Sequence, residues 1–146
     1  MDWKLELVPI PVSDVDRAKT FYTEKVGFKA DHDHRFGEKL RVVQLTPPGS
    51  ACSIAFGQGV VETPPGSVQG LHLVVPDIHA ARAELAGRGV AVSEVKAYGG
   101  GISFAFFKDP DGNGWALQEI APGARRPEDP EEVQALVERI QAERRQ

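Results

Sequence analysis

The chain repeats itself, and that duplication limits its possible folds more than any other feature. The segment PVSDVDRAKTFYTEKVGF (11–28) answers to VVPDIHAARAELAGRGV (74–90). Asp14-Val15 returns as Asp77-Ile78, and Ala18 returns as Ala81, each 63 positions on. The turn TPPGS (46–50) precedes DPDGN (109–113) by the same interval. Two independent landmarks at one offset mark a duplicated unit.

Each copy carries the same order of signals. An apolar strand (residues 5–12 and 71–75) meets an aspartate whose carboxylate can cap the next helix by accepting orphan backbone N–H bonds. Helices are expected over 15–25 and 78–87, ending near Gly27 and Gly89. Three strands should follow each helix, near 28–34, 39–46 and 51–57, then near 91–96, 102–108 and 114–120. The pattern predicts an α+β fold of two tandem βαβββ modules, about 4–57 and 69–121, joined by a linker over 58–68. Residues 1–121 are expected to form one domain, with 122–146 as a linker and an amphipathic C-terminal helix. In that tail, Asp129-Pro130-Glu131-Glu132 supplies a cap, a first-turn proline and acidic first-turn residues. Val133, Leu136, Val137 and Ile140 recur at helical spacing. A lone helix this short is marginal in water, so it should dock on its own domain or on a second subunit. A homodimer to which this helix contributes is expected.

FFKDPDGNGWALQEI (106–120) is rich in acids but is predicted to be a hairpin turn. Proline presets φ, the aspartates bond back to the backbone, and glycine supplies positive φ. A calcium loop of the EF-hand type needs glycine at its sixth position and glutamate at its twelfth; counted from Asp109, glycine is fourth and Ile120 is twelfth.

Charge and composition exclude further classes. The net charge of −4 and the absence of a clustered basic face argue against nucleic acid as a partner. No apolar run approaches the ~20 residues of a membrane span, and MDWKLELV has no signal-peptide pattern, so a cytoplasmic location is expected. The one cysteine, Cys52, forms no internal disulfide and is expected to be a small buried hydrophobe.

IPVSDVDRAKTFYTEKVGF, its repeat and FFKDPDGNGWALQEI together resemble the vicinal oxygen chelate superfamily. That group includes glyoxalase I, bleomycin- and fosfomycin-resistance proteins, extradiol dioxygenases and methylmalonyl-CoA epimerase. The resemblance covers about residues 4 to 121 and implies paired modules whose mixed sheet curls into a cup with ligand on the concave side. It is specific for fold and poor for function, because many chemistries share this scaffold.

The resemblance also says where a metal would be held. Its metal-using members place ligands at positions that correspond here to Leu7, Ser53, Gly70 and Ala116. Leucine, glycine and alanine offer no side-chain donor, and a lone serine is a poor ligand. No metal site and no cofactor are therefore expected, and standard glyoxalase or dioxygenase chemistry is not inherited.

Strand alternation places His72 on the face of Gly70, Gln118 with Ala116, Ala55 with Ser53, and Pro9 with Leu7. By the resemblance these faces look into the cup, giving a small or apolar lining with sparse polar groups, as a small organic ligand requires. His72 can act as general acid or base, or as a hydrogen-bonded side chain that orders the cup. Tyr98, beside the triple glycine 99–101, is either a rim that closes on ligand or part of a flexible hairpin. Alternation alone leaves open which face Phe104 and Phe106 take; Trp115 is expected under a helix. The DHDH run (31–34) is expected to be solvated, since only two of its side chains share a face. His79 is expected to be exposed.

Three functional classes follow. The first is a metal-independent protein that binds a small hydrophobic or aromatic molecule. The second is a metal-free isomerase or lyase using His72. The third is a metalloenzyme with unusual ligands drawn from His72, His34 and Gln118.

Overall fold

A computed structural model describes residues 1–145. The chain divides into two compact units, Met1–Gln69 with Lys108–Asn113, and Gly70–Phe107 with the residues from Gly114 on. The fold is α+β, with one four-stranded mixed sheet in each module.

In the first unit the strand order is β1-β4-β3-β2. The short β1 (Leu7–Pro9) runs parallel to β4 (Ser53–Gln58), which pairs antiparallel with β3 (Leu40–Thr46), and β3 pairs with β2 (Lys29–Phe36). β1 is shorter than the predicted 5–12. Pro9 and Pro11 lack the N–H that a longer ladder needs, and Ile10 makes the last contact through its amide to the Ala55 carbonyl at 2.8 Å. The helix α1 (Val15–Thr20) is capped as predicted, Asp14 accepting from the Arg17 amide at 3.0 Å. It continues as a π-helical turn over Phe21–Val26, where the amides of Gly27 and Phe28 both donate to the Tyr22 carbonyl. The core comprises Ile10, Ala18, Tyr22, Val43, Leu45 and Phe56, all fully buried. On β2 and β3, Asp33 receives a two-pronged hydrogen bond from Arg41 (3.0 and 2.9 Å) and a third bond from Lys19 at 2.8 Å.

Lys108–Asn113 closes as the predicted hairpin turn, with Gly112 donating to the Asp109 carbonyl at 3.0 Å and Asp109 to that of Asn113 at 3.0 Å. Gly112 has φ 96°, which is why glycine stands there. The turn is also a buried polar hub. Asp109 accepts from the Tyr22 hydroxyl at 2.7 Å and from the Asn113 side-chain amide at 2.8 Å. Asn113 donates again to the Pro11 carbonyl at 2.8 Å and accepts from the Val68 amide at 3.1 Å. Asp111 accepts from the amide and the hydroxyl of Ser13 and pairs with Arg17. The acids that make this stretch look catalytic are used by the fold.

The second unit repeats the arrangement, with order β5-β8-β7-β6. β5 (Leu71–Val74) is parallel to β8 (Gly114–Ile120); β7 (Ile102–Lys108) lies next, and β6 (Lys96–Ala97) closes the edge. The helix α2 (Ile78–Gly87) has the predicted bounds, and Asp77 caps it through the Ala80 amide at 3.0 Å. The strand predicted over 91–96 shrinks to two residues. Ser93 still donates its amide to the Phe106 carbonyl at 2.9 Å, but its hydroxyl rather than its carbonyl accepts the Phe106 amide at 2.8 Å, and Arg82 donates to the carbonyls of Val92 and Ser93. Cys52, expected to be buried, is half-exposed, its thiol 3.6 Å from the Ser53 carbonyl.

The tail forms α3 (Pro130–Arg144), with Asp129 as cap and Pro130 in the first turn. It docks on its own second sheet: Leu136 and Ile140 pack against the cluster of Ile102, Phe104 and Ala116. Val133 and Val137, expected on the same stripe, face solvent at 39% and 44% exposure. Polar contacts hold the helix as well, Lys96 to Glu143 at 2.7 Å and Arg139 to the Ala97 carbonyl at 3.2 Å. Among the described residues no helix is long and apolar enough to cross a membrane.

Candidate functional site

The second sheet has two chemically different faces. Trp115 stacks on Phe107 at 6.2 Å and 7°, and Glu119 accepts the first amide of α2 at 3.0 Å, so this parity faces the helix. Phe104, Phe106, Ala116 and Gln118 therefore take the opposite face, which resolves the alternation that the sequence left open. Phe104 and Phe106 stack at 6.1 Å and 13°. His72 lies edge-on to Phe104 at 5.3 Å, and Tyr98 meets the same ring edge-on at 5.3 Å. Such offset and edge contacts are the preferred aromatic geometries.

His72 is paired opposite Ala116 on the neighbouring strand, and its Nδ1 lies 3.2 Å from Gln118 Oε1. That carbonyl only accepts, so the bond places a proton on Nδ1 and leaves Nε2 free. The neutral amide orients the ring. The imidazole is exposed, and Phe106 and Gln118 are half-exposed. Gly70 lies just ahead of β5, and Arg144 Nη1 of α3 stands 3.0 Å from where a Cβ on it would sit.

Tyr98 carries the guanidinium of Arg139 over its ring at 4.5 Å. Burial raises its hydroxyl above the ordinary phenol range; the Glu143 carboxylate adds to the rise, while Arg139 and Lys96 oppose it. The hydroxyl stays protonated and is a donor.

In the first unit, Leu7 pairs with Ser53 and Pro9 with Ala55 across parallel strands. Ser53 and Ala55 are buried, whereas Leu7 is 38% exposed. The Ser53 hydroxyl lies 2.6 Å from that of Thr46, which in turn donates to Asp31. His32, His34 and Phe36 form an exposed ladder on β2, with ring centroids 5.6 and 6.2 Å apart.

The four positions where metal-using relatives hold an ion offer one donor, the Ser53 hydroxyl, and Thr46 already engages it. Such a set does not fit a divalent cation. Among the described residues, no three His, Cys, Asp or Glu side chains are grouped to hold one.

Residues 4–117 match the Glyoxalase/Bleomycin resistance protein/Dioxygenase superfamily. The chain belongs to this superfamily. Solved relatives agree. TnmS3, an antibiotic-binding protein from Streptomyces sp. CB03234, is 38% identical with a TM-score of 0.74, covering 82% of this chain and 98% of its own. A glyoxalase/bleomycin resistance protein from the same organism is 40% identical, with a TM-score of 0.69 and coverage of 78% and 98%. A superfamily member from Sphaerobacter thermophilus DSM 20745 is 31% identical, with a TM-score of 0.72 and coverage of 81% and 98%. No curated protein matches the chain significantly. The superfamily match stops at residue 117, ahead of α3.

Sequence reasoning did not find the side chains that the tail adds. Arg125, Arg126, Leu136 and Arg139 join Tyr98 and Ile102 around a pocket of about 370 Å³. The only advance signal was the amphipathic tail itself.

Proposed function

We propose that this superfamily member binds a small hydrophobic or aromatic molecule without a metal, on the face of the second sheet that carries His72, Ala116 and Gln118, with Gly70 and Tyr98 beside it; Leu7, Pro9, Ser53 and Ala55 form the corresponding face of the first module. The stacked Phe104–Phe106 pair on the face of Ala116 and Gln118 carries this reading. Phe104 is buried in the cluster that α3 covers, so the half-exposed Phe106 ring stacked on it offers the flat apolar contact, while His72 and Gln118 supply a few orienting polar groups, the combination that small organic ligands require. The relative described as an antibiotic-binding protein supports it. The lack of donors at the family's ligand positions favours binding over glyoxalase or dioxygenase chemistry.

The test is calorimetric titration of the chelator-treated chain with a neutral aromatic probe, 2-naphthol. Phe106→Ala, which removes a half-exposed ring, is expected to weaken binding about tenfold. Unchanged affinity would reject the aromatic face as the site.

A second reading makes His72 a general acid/base in an isomerase or lyase reaction, and its free Nε2 favours it. The partner at Nδ1, however, is an amide rather than a carboxylate, so it supplies no second acid or base beside the imidazole. Turnover with a pH profile that vanishes in His72→Ala, while binding persists, would establish this second function.

A further inference from the structure

The C-terminal segment builds a cavity from residues beyond the superfamily match. The Arg125 amide donates to the Gly100 carbonyl and the Ala121 amide to that of Gly101, both at 2.9 Å, so the segment is stapled to the glycine hairpin. A Cβ on Gly100 would lie 2.5 Å from the Arg125 carbonyl oxygen, and φ there is 64°; only glycine allows this approach. The staple sets Arg125 and Arg126 at the edge of the 370 Å³ pocket, a volume suited to a small organic ligand.

The lining is unbalanced in charge. Arg125, Arg126 and Arg139 face one carboxylate, Glu132. Among the described residues the guanidinium groups of Arg125 and Arg126 have no hydrogen-bond or ion-pair partner. Arg139 uses one donor on the Ala97 carbonyl and keeps others. The remaining wall is apolar, including Ile102, Pro127 and Leu136. Tyr98 also lines the pocket, and its hydroxyl is buried without a partner among the described residues.

We infer that this pocket is a second binding site, for a small organic carboxylate whose apolar body lies against Ile102 and Leu136 and whose carboxylate is held by Arg125, Arg126 and Arg139. Guanidinium forks match a carboxylate with two parallel hydrogen bonds, which a neutral ligand cannot return. The pocket adjoins the aromatic face, since Tyr98, Ile102 and Leu136 of its lining belong to the same apolar cluster as Phe104 and Ala116.

Two probes of one shape, 2-naphthoate and the uncharged 2-naphthamide, test it by NMR titration of the full chain. Naphthoate is expected to shift the amide signals of Gly99, Gly100, Arg125 and Arg126 and to bind about tenfold tighter than naphthamide. Arg125→Ala with Arg126→Ala should abolish that margin and leave the thermal midpoint in place, since both side chains are exposed. Equal affinity for the two probes, or unchanged binding in the double variant, overturns the proposal. So does displacement by inorganic phosphate at the concentration that naphthoate itself needs, which would reduce the site to a patch of positive charge. Phe106 lies outside the pocket lining, so failure of the aromatic face leaves this result intact.

Discussion

Asn113 has no exposed surface, and its side chain makes three of the contacts that hold the first unit's turn, to Pro11, Asp109 and Val68. Replacing it with alanine leaves two buried acceptors short of a donor and one amide without an acceptor. Asn113→Ala is expected to lose about 3 kcal/mol in urea unfolding, since each orphaned buried group costs roughly 1–3 kcal/mol. Asp33 makes a different claim. Hydrogen bonds from Arg41 and then Lys19 hold its carboxyl well below the usual carboxylate range, outweighing partial burial. A depressed folded value means that the stabilisation is complete above the unfolded value near 3.8 and is lost as pH falls toward the folded one. Asp33→Asn should therefore cost about 1 kcal/mol at neutral pH, a discounted figure for a partly exposed pair. The gap to the parent chain should close on acidification below about pH 4. A gap that stays constant through that range would mean that the ion pair carries no net stability. Residues such as Asp14 and Asp77 were legible because a cap needs only its own helix. Phe104 and Phe106 were not, because alternation defines two faces without saying which one the helix covers; the Phe107–Trp115 stack decides it.

The elements that depend on local pattern alone came out as expected, with α2 agreeing to the residue and β7 and β8 within their predicted ranges. Departures occur where a side chain competes with the backbone. Ser93 and Arg82 take the groups that would have extended β6, and the prolines around Ile10 shorten β1. The tail helix was legible as a capped amphipathic segment, but its docking place was not. That place depends on Arg139 meeting Tyr98 and on Lys96 meeting Glu143, pairs separated by more than forty positions in sequence. α3 has no fully buried residue, and its hold on the sheet rests on half-buried Leu136 and Ile140. Truncation after Gly123 uncovers Ile102, Phe104 and Ala116 and is expected to lower stability by about 2 kcal/mol. The homodimer expected from the sequence is proposed to use the exposed Val133 and Val137 of α3, and the truncated chain should then fall from dimer to monomer in light scattering. A truncated chain with unchanged mass and midpoint would remove the helix from both roles.

At the scale of the whole molecule, duplication, caps and turns made the two βαβββ modules readable, and membership of the superfamily follows from the match over 4–117. Function is less readable because this scaffold separates fold from chemistry. What distinguishes this chain is the set of side chains where relatives hold a metal, Leu7, Ser53, Gly70 and Ala116, together with an aromatic face beside two of them. The measurement that tests this most directly is the titration of metal-stripped protein with 2-naphthol, repeated with zinc, nickel, manganese or ferrous iron added and the bound metal counted. One saturable site per chain is expected, with the same affinity with and without each ion and with bound metal far below one per chain. Binding that appears only with an ion, or one tightly held ion per chain, would contradict it.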